Sequence, residues 1–569
     1  MAEGQHQSVV SSDSEAVKAA ARSPLLVAAV TLLTLSFFLL GLAWAFGNPP
    51  GGSPDEIATY SKAMGTAFGE LRPGPVSPAP PHATGNEIFN AAALGWFTIP
   101  QRFFPDERWG CTSTDGEIAA VCLKRPIAPG VVPVYRLKPV PQVVTYVAHY
   151  PPIIFGVSGL VARLGGRATD ALYLGRLADM TISVAMLLLA FSLSRGRWML
   201  AGVLAAASPM VVFMASSFNP SGVEVASGVA FGVATTVLAR RQPTRWDWWA
   251  FALSGSVLAV ARQFGWVWVV SDLVFLFVLL GPKKFYGLLV AGRFRVRWPV
   301  IVVGLFSLST LLWDVFAEHA VHADLHQAAH NVSAAITQLW TMVDQFVGIF
   351  GWANVPLPNV VVHVALVTYA CIALAGLVLG RWREKAAWAA FFALGFVETL
   401  YMDTALQIPY GFGVQARYVM PLSALLLVYG GSVLDIRIQS LTLHPRARPP
   451  GALRRLTLVA VGRVVPLVLS AAYVGLQFEA WLQNSHDSAV GLHGSWDFFT
   501  RSSWAPRTGW TVLLVMAALG TLLALAGAVL FSVRSPAGLA APTVPTRVRV
   551  GGTSDTPTAP EPEPEPLRG

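Results

Sequence analysis

The hydrophobic positions of this chain do not alternate or trace a single helix face. They gather into long, nearly uninterrupted runs that recur from one end to the other. A bilayer core about 30 Å thick takes roughly 20 mostly apolar residues per helix. By that measure the pattern predicts spans near 24–46, 171–194, 198–217, 220–239, 246–262, 264–281, 298–317, 359–380, 386–402, 418–435, 456–477 and 510–532. One further apolar stretch, 149–163, is short and suits a helix lying in the membrane interface. The expected fold is an all-α polytopic membrane protein of about 12 spans. The short stretch and the tight, re-entrant-looking pair 246–281 leave the range at 11–13.

Composition agrees. Of 569 residues, 54% are hydrophobic and 12% charged, with a mean hydropathy of +0.55. A soluble protein carries roughly a quarter charged residues, so a soluble multidomain enzyme is excluded. Disorder along most of the chain is excluded too, since it needs low hydrophobicity and high charge.

The net charge of +9 first reports orientation, not a nucleic-acid partner. With 149–163 kept outside, most short basic connections fall on one side. They hold Arg195 and Arg197; Arg240, Arg241 and Arg245; Lys283, Lys284, Arg293, Arg295 and Arg297; Arg381, Arg383 and Lys385; and Arg437, Arg446, Arg448, Arg454 and Arg455. That predicts a multi-pass plasma-membrane protein with both termini cytoplasmic. The segment 1–23 reads as a cytoplasmic lead. The first span follows Lys18 and Arg22 but exceeds the 7–15 residues of a signal-peptide core, so a retained anchor is expected. The Pro- and Glu-rich 535–569 reads as a disordered cytoplasmic tail to a membrane domain over 24–534.

Three long outer segments follow from this orientation: 47–170, 318–358 and 478–509. The first is rich in Pro and Gly and reads as too irregular for a compact domain. It contains Cys111 and Cys122, and an oxidising compartment favours a local disulfide between them over free thiols. Cys371 falls within a span and reads as packing.

Ionisable residues near membrane depth are costly, so each is a functional candidate. Ser53-Pro54-Asp55-Glu56 follows the first span and puts two carboxylates where one could act as a general base. The same residues also spell a capped helix start, and a second acidic pair, Asp106-Glu107, follows Pro105. His149-Tyr150-Pro151-Pro152 opens the interfacial stretch, as a surface anchor or as a way to hold His149 over a cavity. Arg176, Arg262 and Arg417 stand outside against the orientation rule. A guanidinium there needs a carboxylate, carbonyls or a phosphate. A lipid-linked phosphate would fit, and for Arg176 an internal pair with Asp179 is an equal alternative. His319, His322, His326 and His330 have helical spacing, yet only Asp324 stands near them, so a solvated face is expected over a metal site. No phosphate loop, dinucleotide fingerprint or serine elbow is present.

In their order along the chain, several motifs resemble the bacterial membrane family called domain of unknown function 2142. They are Pro54-Asp55-Glu56, Tyr150-Pro151-Pro152, Arg176-Leu177, Ser208-Pro209-Met210 with Asn219-Pro220, Phe350-Gly351-Trp352 with Pro358, and Gln415-Ala416-Arg417-Tyr418. The likeness covers roughly 25–510. Ala416 stands where that family usually has Gly, and Ser221 where it often has an acid. The family in turn resembles the GT-C glycosyltransferases, which move a sugar from a polyprenyl-phosphate carrier to an acceptor outside the membrane.

The resemblance implies Asp55 as catalytic base, Glu56 as helper or alternate, and Arg262, Arg417 and Arg176 as carrier-phosphate ligands. It implies a lipid-linked sugar donor and a cell-envelope glycan, lipid or protein acceptor among membrane lipids. It names no definite cofactor and leaves divalent-metal assistance open. The rival readings are a transporter or flippase of lipid-linked precursors and a non-catalytic assembly protein. Acids and arginines at one depth would favour the enzyme, and a polar column through the bilayer would favour transport.

Overall fold

The computed structural model describes residues 24–75, 93–113, 118–125, 136–137, 141–290, 294–316, 325–408, 413–443, 457 and 459–533. The lead 1–23, the tail 535–569, His319, His322, Asp324 and the arginines 446, 448, 454 and 455 lie outside these residues.

The described chain is helical with two small sheets. Helix α1 (Pro24–Gly47) leads through a turn into α2 (Glu56–Ala67). Strands β1 (Gly95–Thr98), β2 (Arg136–Leu137) and β3 (Gln142–Thr145) form an antiparallel sheet in the order β1-β3-β2. The short α3 (Pro152–Ala162) precedes α4 (Ala168–Leu193). Then come α5 (Arg197–Ala206), α6 (Pro209–Ala215), α7 (Pro220–Arg240), α8 (Arg245–Ala261), α9 (Gly265–Leu280), α10 (Pro282–Val290) and α11 (Phe294–Phe316). Helix α12 (Leu325–Val343) precedes the hairpin β4 (Ile349–Phe350) and β5 (Val355–Pro356). Helices α13 (Asn359–Leu379), α14 (Trp382–Tyr401), α15 (Met420–Leu443), α16 (Val465–Val490), α17 (Phe498–Arg501) and α18 (Trp510–Val533) complete it.

Eight of these helices are long and apolar enough to cross a membrane, and up to ten spans result if each of two bent pairs counts as one. The protein is an all-α polytopic membrane protein. Each of the twelve expected spans matches a helix or bent pair. Two matches are weaker: α8 has only 17 residues, and α14 carries Arg383, Glu384, Lys385 and Glu398. The expected span 198–217 is broken, because Pro209 lacks an N–H and disfavours helix at Ser208. α5 and α6 meet there at 56°. The freed groups find partners inside the bundle, with Gln477 donating to the Ala207 carbonyl at 2.7 Å and Met210 N–H to Val347 O at 3.3 Å. α10 turns 113° away from α9 at Gly281 and Pro282 and buries no residue.

Packing is close where side chains are small. A Cβ added at Gly520 on α18 would lie 3.1 Å from the Ser36 carbonyl of α1, the approach small residues permit between membrane helices. α7 is buried from Pro220 to Leu238 and forms the axis of the bundle. The first loop is better packed than its Pro and Gly content suggests. Ile57, Tyr60, Met64, Phe97, Phe103, Trp109 and Phe155 form a core of their own, shared with Leu172 of α4 and Phe218. Cys371, expected to pack inside, is exposed on α13.

Candidate functional site

The site is built where α1 hands over to α2. Pro49-Pro50-Gly51-Gly52 turns the chain, and Gly51 takes φ 75° against the backbone of Gly110, which leaves no room for a Cβ. Asp55 then adopts φ 61°, a left-handed conformation uncommon outside Gly, immediately before α2. This geometry sends the two neighbouring carboxylates to different places.

Glu56 points inward and is fully buried. It accepts from Arg176 Nε at 2.7 Å and Nη2 at 2.6 Å, from Gly51 N–H at 2.9 Å and from Phe218 N–H at 3.0 Å. Arg176, equally buried, uses its other donors on the carbonyls of Ala45, Asn48 and Pro49. Every donor of this guanidinium is engaged in fastening the turn to α4. That corrects two expectations: Glu56 has no opening toward a substrate, and Arg176 has no donor left for a phosphate. Asp179 is not its partner either, since Asp179 accepts from Ser158.

Asp55 points toward α15. Its Oδ1 accepts from the Tyr146 hydroxyl at 2.7 Å and its Oδ2 from Arg417 Nη2 at 2.6 Å. The carboxylate keeps about 20% exposure, while Arg417 keeps 4%. Arg417 also donates to the Tyr418 hydroxyl at 3.2 Å. Its Nε and Nη1 are buried and have no acceptor among the described residues. Burial works against the Arg417 charge, but the Asp55 carboxylate and Tyr418 outweigh it and hold its pKa above the usual value.

Arg262, between α8 and α9, stacks over Tyr418 at 4.6 Å and Tyr150 at 5.6 Å. It donates to Glu224 of α7 at 3.3 Å, and Trp268 donates to the other Glu224 oxygen at 2.9 Å. Loss of hydration raises the Tyr150 hydroxyl to about 12, with Arg262 opposing it. Asp55, Arg417, Arg262 and Tyr150 therefore come together. His149 is held through its carbonyl, which accepts from the Trp313 indole at 2.8 Å.

The scaffold explains why distant motifs converge. Asn219 caps α7 and donates to the Pro54 carbonyl at 2.8 Å. Trp352 donates to Gly51 O at 3.2 Å, and Phe350 packs on Trp44 and Phe213. Gln345 accepts from the Ala416 N–H at 3.0 Å and so sets the Arg417 turn. An apolar cavity of about 420 Å³ begins at Met420, three residues past Arg417, and is lined among others by Ala206, Ser208, Phe346, Tyr369 and Leu427.

The sequence model of the predicted membrane proteins called DUF2142 matches residues 38–426, which hold every residue of this site. The chain belongs to the DUF2142 family. The DUF2142 match covers more than half of the chain. No curated protein matches. Among solved structures, ArnT from Cupriavidus metallidurans bound to undecaprenyl phosphate is similar at 13% identity, over 88% of this chain and 77% of that one, with a TM-score of 0.37.

Two further expectations meet their structural context. Cys111 and Cys122 are joined by a disulfide, Cα–Cα 6.1 Å, in the first loop of this DUF2142 chain. The second acidic pair is separate from the site: Asp106 takes three bonds from Arg108, from its backbone N–H at 3.0 Å, Nε at 2.8 Å and Nη2 at 2.5 Å, and lines a polar surface cleft of about 470 Å³. Among the described residues no group of three or more His, Cys, Asp or Glu could hold a metal ion. Sequence reasoning missed Tyr146, Tyr418 as a stacking partner, and Glu224. The signal for Glu224 was present: a lone carboxylate inside a span.

Proposed function

We propose that this DUF2142 protein transfers a sugar from a polyprenyl-phosphate carrier to an acceptor, with Asp55 as general base and Arg417 as the carrier-phosphate ligand. The observation that carries the reading is the Arg417 guanidinium. It is tied to Asp55 through one nitrogen, and its buried Nε and Nη1 have no acceptor among the described residues. Buried guanidinium donors favour an anionic oxygen in fork geometry, and the apolar cavity starting at Met420 suits the first units of an isoprenoid chain.

In the step, Asp55 removes the proton of an acceptor hydroxyl as its oxygen attacks the anomeric carbon. The carbon–oxygen bond to the phosphate breaks, its electron pair goes to the phosphate oxygen, and the anomeric configuration inverts. Arg417, with Arg262 behind it, stabilises the charge that develops on the leaving phosphate. Arg195, Arg240, Arg241, Arg383 and Arg437 lie at the helix ends remote from Asp55, and this charge bias supports a site on the outer side of the membrane with both termini inside.

One observation favours the transporter reading. Ser271 donates to Glu398 at 2.7 Å beside the buried Asp272, so α9 and α14 carry acids below the site. Asp272 is only seven residues past Gly265, about 10 Å down α9, so these acids sit in the half of the bundle nearest Asp55 and do not complete a column.

Binding of a polyprenyl phosphate to the purified protein tests the proposal. Native mass spectrometry is expected to show the carrier on wild type and its loss in Arg417→Gln. Equal retention by both proteins contradicts the assignment.

A further inference from the structure

At the end of α7 remote from Asp55, arginines outnumber the acids they face. The 21 residues of α7 carry Arg240 about 30 Å from Asn219. There Arg240 donates to Glu384 and lies over the Tyr429 ring at 4.5 Å. Glu384 also faces Arg437 Nη2 at 3.6 Å and accepts the Arg381 N–H at 2.5 Å. Arg241 donates to Asp247 at 2.6 Å, and Asp247 is further engaged by the backbone and hydroxyl of Thr244. Arg195 sits close by: burial, then the Arg241 charge, push its guanidinium down to about 10.

Among the described residues, Arg240 and Arg437 thus share Glu384, and Arg241 and Arg195 face Asp247. Nε and Nη2 of Arg240 and Nε and Nη1 of Arg241 are buried and have no acceptor among the described residues. The adjoining segments 281–313 and 436–478 contain no Asp or Glu, and Asp435 is engaged by the backbone N–H groups of Trp198 and Met199. Buried guanidinium donors left unmatched are destabilising, and the oxygens of a phosphate match their fork.

The surroundings indicate which phosphate. Trp246 and Trp249, in the first turns of α8 next to Arg241, are 57% and 41% exposed. Exposed indoles beside a basic helix end mark the headgroup level of a bilayer, where basic pockets between helices hold anionic lipids. We propose that this end of the bundle binds the phosphate of an anionic phospholipid through the N–H groups of Arg240 and Arg241.

The test follows thermal unfolding of the full-length protein in detergent, titrated with phosphatidylglycerol, phosphatidylcholine or inorganic phosphate. Phosphatidylglycerol is expected to raise the unfolding temperature, and the other two are not. The shift should vanish in Arg240→Gln/Arg241→Gln and persist in Arg245→Gln, which removes an exposed charge from the same end. Equal loss in both variants would reveal a general charge effect and overturn the proposal, and an equal shift with inorganic phosphate would overturn the lipid assignment. If the double variant does not fold, native mass spectrometry of wild type decides: preferential retention of phosphatidylglycerol over phosphatidylcholine supports the site, and equal retention refutes it.

Discussion

Arg417 Nη2 donates to Asp55 Oδ2 across 2.6 Å, joining residues 362 positions apart in the chain. The pair links the turn after the first span to the start of α15. It also leaves each partner with something in reserve, some exposure on the carboxylate and two guanidinium nitrogens without an acceptor among the described residues.

Asp55 and Glu56 are predicted to separate under mutation. Glu56→Gln or Arg176→Met breaks a fully buried ion pair, which costs about 3–5 kcal/mol. Either variant should express poorly and unfold at lower denaturant or temperature. Asp55→Asn, at a partly exposed carboxylate whose amide oxygen can still accept from the buried Arg417, should lower stability less than either of these. Unfolding curves of the detergent-solubilised variants check the contrast, and equal destabilisation of all three would contradict it.

How far the sequence went is visible in this pair of neighbours. Long apolar runs and basic loops were enough to place the helices, because span length and charge bias act locally. Arg262 and Arg417 stood out as charges outside against the orientation rule and Asp55 as a carboxylate after the first span, and the family resemblance suggested that they share a site. The parting of Asp55 from Glu56 was not legible, since it depends on the positive φ at Asp55 and on the carbonyls of Ala45, Asn48 and Pro49 gathering around Arg176. Tyr146 was equally hidden, because only the β3 register brings its hydroxyl to Asp55.

Tyr146→Phe removes one hydrogen bond to the Asp55 carboxylate, a contact of the class worth about 1.5–3 kcal/mol. Sugar transfer by the purified protein should fall by at least roughly tenfold, while the protein still folds with stability lowered by no more than that contact. Unchanged transfer would remove Tyr146 from the site.

Lys62 provides a pH signature of the first loop. Its amine is buried, donates to Ala148 O at 2.7 Å and lies 4.9 Å from the Phe97 ring centroid. Burial lowers its pKa to about 7. Between about 7 and the ordinary lysine value near 10.4, the unfolded chain holds a proton that the folded chain has released, so stability rises with pH across that window. Lys62→Met should flatten this rise in unfolding measured from pH 6.5 to 10, and an unchanged slope would contradict it.

Reduction of Cys111–Cys122, or its replacement by serines, reopens a short loop in the unfolded chain. Loops of this size are worth about 3 kcal/mol. Limited proteolysis should then cut the first loop faster while the membrane helices stay intact. No change with reductant would show that the bridge adds nothing to the loop.

The central claim is that Asp55 removes the acceptor proton in sugar transfer from a polyprenyl-phosphate carrier. The most direct measurement is the lipid-linked sugar profile of cells whose only copy of the gene encodes Asp55→Asn, with protein levels matched to wild type. The account predicts accumulation of one polyprenyl-phosphate sugar together with loss of that sugar from the cell envelope. A profile identical to wild type would contradict it.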